Sequence, residues 1–207
     1  MAEPVYGAVG GAKIATTTKV MQRLMGITHP CSGAIFARTT HTSPARLKTA
    51  DFINLRIECE IALKLGADLP ASGAPWTRGG RARRCRAMPA FELIEDRQAD
   101  YAQTDVFSMI IENCWNGGVV IGSHKSMSHA ALVGIVGRLT LNEKVVGEGA
   151  AEDPYATLAW LANHLAERGR DLVVVITGSL IPTKSIASGQ HAVFTVEGLG
   201  ETVIDAL

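Results

Sequence analysis

Between Leu55 and Leu65 the chain alternates apolar and polar positions, and no other stretch constrains the fold as tightly. Successive side chains of a β-strand point to opposite faces. Leu55, Ile57, Cys59, Ile61 and Leu63 therefore share one face, and Arg56, Glu58, Glu60 and Ala62 share the other. The run predicts a strand that lays its apolar face on a core and carries two carboxylates side by side opposite. Parallel carboxylates repel unless something positive lies between them. A hard divalent cation that prefers oxygen ligands, Mg²⁺ or Mn²⁺, is the natural partner.

Composition narrows the class. A chain of 207 residues suits one globular domain, here taken as residues 1–207, and buries a sizeable core. With 47% hydrophobic and 19% charged residues it is not a disordered chain. Its 20 basic and 20 acidic residues cancel, so no net field draws it to nucleic acid or to a membrane surface. No apolar run reaches the length of a membrane span, and the start at Met1 has no signal-peptide character. Cys31, Cys59, Cys85 and Cys114 show neither C-x-x-C spacing nor disulfide-scaffold density, which fits a reducing cytoplasm.

Helix and strand patterns mix without strict alternation, the mark of an α+β chain. Thr18 is placed to cap a short helix over Lys19 to Met25 that Gly26 ends, and residues 27–50 read as loops and short strands. A strand is expected from Ala90 to Glu95, then a helix from Asp105 to about Asn113, broken by Gly117-Gly118 ahead of the apolar run 119–121. Strands near 132–140 and 144–149 form a hairpin turning at Asn142-Glu143. Asp153, Pro154 and Gly169 frame a helix from Pro154 to Arg168, and 172–177 and 192–196 read as buried strands.

Glu92 gives the paired carboxylates their weight. A lone E-x-E is commonplace on the solvated face of a strand. Glu92, however, sits within Pro89-Ala90-Phe91-Glu92-Leu93-Ile94, an apolar strand where an unpaired charge is costly to bury. Glu58, Glu60 and Glu92 together would hold a Mg²⁺-type ion with positions left for substrate and water. The six histidines lack H-x-x-x-H spacing, which argues against zinc. Ser179, in Thr177-Gly178-Ser179-Leu180, follows a buried strand where a ligand can meet backbone amides, but it lies in no G-x-S-x-G elbow. Gly10-Gly11-Ala12-Lys13 lacks the Walker spacing, which leaves Lys13 as either a surface lysine or an acid/base group. The arginine-rich run TRGGRARRCR (77–86) reads as a solvated loop.

The segments KIATTTKVMQ (13–22), RIECEIALKLGADLP (56–70), PAFELIEDR (89–97), ENCWNGGVVIG (112–122), LAWLANHLAERG (158–169) and TGSL (177–180) resemble the 2-keto-4-pentenoate hydratase branch of the fumarylacetoacetate hydrolase superfamily. The resemblance runs over nearly the whole chain. Its most specific part is the E-x-E strand followed some thirty residues on by the glutamate of P-A-F-E-L. It implies an α+β fold: a mixed, strongly curved β-sheet roll with flanking helices and a metal in its mouth. It implies metal ligands at Glu58, Glu60 and Glu92, an acid/base at Lys13, a substrate contact at Ser179, Mg²⁺ or Mn²⁺ as cofactor, and a homo-oligomer. The implied reaction adds water to 2-hydroxypenta-2,4-dienoate, a dienol of a small 2-oxo acid from aromatic meta-cleavage, to give 4-hydroxy-2-oxopentanoate. Two alternatives stand beside it: a decarboxylase of 2-oxo-3-hexenedioate (4-oxalocrotonate) on the same scaffold, with Arg38 or Arg46 meeting the distal carboxylate, and a truncated, non-catalytic relative. The chain departs from the family pattern in lacking an N-terminal region of several tens of residues, and in Ala15, Cys31 and the 77–86 run.

Overall fold

The computed structural model describes residues 3–77, 85–125, 127, 129–169 and 172–207. Its central strand, β5 (Leu55–Leu69), is the alternating segment, extended four residues beyond the expected end. The apolar face is buried as its pattern requires: Ile57, Cys59, Ile61 and Leu63 are 1% exposed or less.

The remaining strands assemble around it. They are β1 (Val9–Ala15), β2 (Cys31–Phe36), β3 (Thr40–Thr42), β4 (Ala45–Leu47), β6 (Cys85–Glu95), β7 (Asn116–Ile121), β8 (Val136–Leu141), β9 (Lys144–Ala150), β10 (Leu172–Ser185), β11 (His191–Val196) and β12 (Gly200–Ala206). A seven-stranded sheet runs β2-β1-β10-β5-β6-β7-β3 and a five-stranded sheet β4-β12-β11-β8-β9. Both are mixed. β1 pairs parallel with β10, β3 with β7 and β4 with β12, while β5 lies antiparallel to both its neighbours. The large sheet is rolled: Ile35 of β2, at one edge, packs in one buried cluster with Val119 of β7, next to the other edge. The fold is thus the α+β, curved mixed-sheet roll expected.

The main core lies on the apolar face of β5. Phe91 and Leu93 of β6, Phe194 of β11, Ile204 of β12 and Leu139 of β8 join it there, with Tyr155, Leu158 and Leu161 of helix α5 (Pro154–Ala166). Asp153 caps α5 by accepting from the N–H groups of Tyr155 and Ala156 at 3.1 and 2.9 Å. The small sheet presses close on β10: a Cβ on Gly149 would meet the Leu180 carbonyl oxygen, so only glycine fits that crossing.

The shorter helices are α1 (Glu3–Tyr6), α2 (Lys19–Leu24), α3 (Val106–Ile111) and α4 (His129–Leu132). Thr18 caps α2, as its sequence position predicts, and Asp105, expected as the first helical residue, caps α3 instead. The hairpin turn at Asn142-Glu143 has φ of 47° and 67°, the paired positive values of a type I′ connection.

Several boundaries differ from the sequence expectation. Residue 132 belongs to α4, and the hairpin strand begins at Val136. α3 ends at Ile111 because Asn113, Cys114 and Trp115 turn left-handed, with φ of 54°, 51° and 58°. β10 continues to Ser185, past an irregularity between Ile176 and Ser179. Residues 78–84, the heart of the arginine-rich run, lie outside the described residues.

Candidate active site

The polar face of β5 looks into the roll. Glu58 is directly opposite Glu92 in the β5–β6 register, and Glu60 is opposite Ser179 in the β5–β10 register. One carboxylate oxygen from each of Glu58, Glu60 and Glu92 lies within 4.8 Å of the other two. Lys13 reaches the same point from β1, its ammonium donating to Glu92 Oε1 at 2.5 Å and to the Cys114 carbonyl at 3.0 Å. The three glutamates and the lysine named from sequence thus meet in one place.

Each carboxylate is held by a different device. Glu58 Oε1 accepts from the Thr183 hydroxyl at 2.5 Å, and Glu60 Oε2 accepts from the Gly178 N–H at 2.8 Å. Gly178 has φ of +106°, a value open to glycine, and this turns its amide toward Glu60. Glu92 Oε1 also accepts from Asn116 Nδ2 at 2.8 Å, while Glu92 Oε2 is buried without a hydrogen-bond partner. The left-handed turn 113–115 delivers the Cys114 carbonyl to Lys13. Asn113 pins that turn across to β2, exchanging hydrogen bonds of 2.7 and 2.8 Å with the Ala34 backbone. Left-handed backbone at Cys and Trp is uncommon and clusters at functional sites.

Electrostatics make this a site short of positive charge. Burial first, then the charges of Glu92 and Glu58, hold the Glu60 carboxyl well above its ordinary range. Burial also raises Glu92, although Lys13 opposes the shift. Burial alone would lower the Lys13 value, but Glu92 and Glu58 outweigh it and keep the ammonium protonated. Burial pushes the Cys114 thiol up to about 11, which disfavours the thiolate.

Ionising all three carboxylates beside one ammonium would leave two negative charges uncompensated, and the Glu92 oxygen without a partner is an acceptor that water does not reach. An all-oxygen donor set of that charge fits a hard divalent cation.

The site opens into a cavity of about 510 Å³ lined by Lys13, Glu58 and Glu60 and by apolar groups such as Ile94, Met109 and Trp115. Ser179 also lines it, but its hydroxyl donates to the Ile181 carbonyl of its own strand at 2.7 Å. Among the described residues lining the cavity, Lys13 is the one cation. Arg38 and Arg46 are exposed and lie elsewhere, on the turn after β2 and on β4 of the small sheet. Sequence reasoning missed Thr183, Asn116 and the Gly178 amide. The only hint was that Asn116 and Gly178 fall inside segments already singled out, ENCWNGGVVIG and TGSL.

Comparison with known proteins finds similar chains and similar folds. A 2-keto-4-pentenoate hydratase of Burkholderia vietnamiensis is 30% identical over 201 residues, covering 93% of this chain and 76% of its own length. A 2-hydroxyhexa-2,4-dienoate hydratase of Comamonas testosteroni is 28% identical over 200 residues, covering 92% and 75%. Among solved structures, 4-oxalocrotonate decarboxylase from Pseudomonas putida G7, complexed with magnesium and adipate, superposes with a TM-score of 0.85 at 21% identity, over 99% of this chain and 81% of that one. A fumarylpyruvate hydrolase from Pseudomonas aeruginosa, in complex with Mn²⁺ and pyruvate, gives 0.68 at 12% identity, over 95% and 88%. No family model matches the chain. The extent of the sequence match, carried on a shared fold, decides the assignment: the chain belongs to the 2-keto-4-pentenoate hydratase branch of the fumarylacetoacetate hydrolase superfamily.

Proposed function

We propose that this chain is a metal-dependent hydro-lyase, a single catalytic domain that adds water to 2-hydroxypenta-2,4-dienoate to give 4-hydroxy-2-oxopentanoate. The observation that carries the reading is the convergence of Glu58, Glu60 and Glu92 on one point beside Lys13. The hydratase names of its relatives supply the reaction class. Glu58, Glu60 and Glu92 would hold Mg²⁺ or Mn²⁺, ions that accompany the similar solved structures. Such an ion, when bound, supplies Lewis-acid polarisation of the 2-oxo acid head.

The chain's own residues do the rest. Thr183, Asn116 and the Gly178 amide fix the carboxylates, so that little motion is needed on binding. Lys13, held as the ammonium, is the group proposed to give a proton to C5 and then to take up the one that leaves the 2-hydroxyl oxygen, turning the dienol into the 2-oxo-3-enoate. Water then adds across C3=C4, its hydroxyl going to C4 and a proton to C3. Ser179 borders the bound substrate with its strand edge, its hydroxyl proton being spent on Ile181.

The decarboxylase alternative draws on the 4-oxalocrotonate decarboxylase fold, but a diacid needs a second cation, and the described lining has none besides Lys13. The non-catalytic alternative is disfavoured by the complete set of three carboxylates and a lysine. Phe107, Ile110 and Ile111 of α3, all exposed, support a homo-oligomer as the working form. Among the described residues no helix is long and apolar enough to cross a membrane. We place the reaction in the cytoplasm.

The test follows the ultraviolet absorbance of 2-hydroxypenta-2,4-dienoate with purified protein. Loss that needs Mg²⁺ or Mn²⁺, stops with EDTA and yields 4-hydroxy-2-oxopentanoate is expected. No loss in a folded, metal-binding sample contradicts the reading.

A further inference from the structure

Tyr101 lines the cavity, held by contacts that the reaction above does not require. Its ring stacks on Trp115, centroids 4.8 Å apart and planes 20° apart, and both rings line the cavity. Its hydroxyl donates to Asp96 Oδ2 at 2.6 Å and accepts from Arg56 Nη1 at 3.2 Å, so both its donor and an acceptor position are taken by residues that do not line the cavity. Asp96 is 3% exposed and also accepts from Asn54 Nδ2, the Gln98 N–H and Arg56 Nη1, at 2.7, 3.0 and 3.4 Å.

Arg56 stands on the same face of β5 as Glu58, two residues or roughly 7 Å along the strand. It is the nearest candidate to meet a charge at the far end of a substrate anchored on the glutamates. Yet it does not line the cavity. Its charge is met by Asp96, it also donates to the hydroxyl of Tyr101, which does line the cavity, and its Nε is buried without a partner.

We infer that Tyr101, pinned by Asp96 and Arg56 and stacked on Trp115, is a specificity-determining wall that selects 2-oxo acids with an uncharged tail and excludes those ending in a second carboxylate. The inference rests on the hydratase reading and names its substrate class. A carboxylate driven against this wall would lose its water and find no donor on the cavity lining, since the Tyr101 hydroxyl is engaged by Asp96 and Arg56 and Arg56 itself does not line the cavity. An apolar tail of the same shape meets aromatic and thioether surface instead, with Met109 and Ile94 beside the two rings.

The test is equilibrium binding to the Mn²⁺-loaded protein, which reads tail preference whether or not turnover occurs. Three probes suffice: pyruvate for the head group alone, 6-methyl-2-oxoheptanoate, and 2-oxohexanedioate, which matches it in shape but ends in a carboxylate. The wild type is expected to bind pyruvate and to prefer the branched mono-acid over the diacid by at least about tenfold. Tyr101→Ala, which opens the path to Arg56, is expected to bring that ratio near one. Tyr101→Ala with Arg56→Gln is expected to restore the preference. Asp96→Asn, which frees Arg56 without removing the ring, is expected to move the ratio in the same direction as Tyr101→Ala and carries the comparison if that variant does not fold. A general packing defect would weaken all three probes together and leave the ratio unchanged. An unchanged ratio in variants that still bind pyruvate overturns the wall and spares the hydratase reading, as does a wild type that binds the diacid as tightly as the mono-acid. A wild type that does not bind pyruvate overturns both.

Discussion

On one face of β5, Ile57, Cys59, Ile61 and Leu63 are packed to 1% exposure or less against β6, β11 and α5. On the other, Glu58 and Glu60 stand with Glu92 around a point that holds no compensating charge beyond Lys13. The backbone is the same, yet the two faces differ in what completes them. The apolar face is satisfied by the protein itself, since burial out of water is its whole stabilisation. The polar face remains incomplete by the same standard, with a buried oxygen that has no partner and carboxyls pushed above their ordinary range. Foldedness is carried by the first face. The second keeps a local disagreement with the rules of burial, as functional sites do.

Removing Lys13 should break this contrast most severely. Lys13→Met is expected to lower hydration by about 10²–10⁴-fold, the usual contribution of a positioned acid/base group. It should also destabilise the metal-free fold by roughly 3–5 kcal/mol, because Glu92 is left buried without its counter-charge. Ultraviolet kinetics and urea unfolding in EDTA check the two effects separately. Rates unchanged in a folded variant would remove Lys13 from the chemistry.

Leu63→Ala cuts into the opposite face. It should cost about 2–5 kcal/mol of stability while leaving Mn²⁺ affinity per folded molecule as in the wild type, measured by denaturation and by titration calorimetry. A large loss of metal affinity would mean that the two faces are not separable.

Thr183→Val sharpens the polar side. It removes the hydroxyl that holds Glu58 and should weaken metal binding by about 10–100-fold, with little change in the metal-free unfolding curve.

The dependence on pH is smaller and opposite to that of an ordinary salt bridge. Glu60 and Glu92 lie above the unfolded value of 4.5, so the folded chain binds more protons than the unfolded one above that value. Metal-free stability should therefore fall as pH rises from 4.5 toward the raised value of Glu60, by about 1.4 kcal/mol per pH unit for each proton held in excess. Lys13, raised above 10.5, contributes a constant amount across that window. Metal added at the alkaline end should raise the Tm more than at the acid end. Thermal melts with and without EDTA measure it, and a metal-free Tm that climbs through the window would contradict the account.

The sequence makes one face far more legible than the other. Alternation over 55–65 yields the central strand, its buried side and the pairing of Glu58 with Glu60, because period two is a local property. Thr18, Asp105 and Asp153 mark helix starts for the same reason: a cap acts on an amide two or three residues away. Gly178 and Pro182 interrupt the apolar pattern of β10, so its reach to Ser185, and with it the Thr183 contact to Glu58, does not register. β12 goes unread although its buried and exposed residues alternate, because Gly200 to Ala206 carries few strongly apolar side chains. The left-handed turn at Asn113 to Trp115 escapes as well, since Cys and Trp have no preference for that conformation. The meeting of Lys13 with Glu92, 79 residues apart, is a product of the rolled sheet. Only the family resemblance reached it from sequence.

The most direct test of the central claim is a Mn²⁺ titration of the wild-type protein and of Glu60→Gln, followed by electron paramagnetic resonance. The account predicts one EDTA-sensitive Mn²⁺ per wild-type chain and a loss of at least about tenfold in affinity in a folded Glu60→Gln. Equal binding by the two proteins, or none by the wild type, would contradict it.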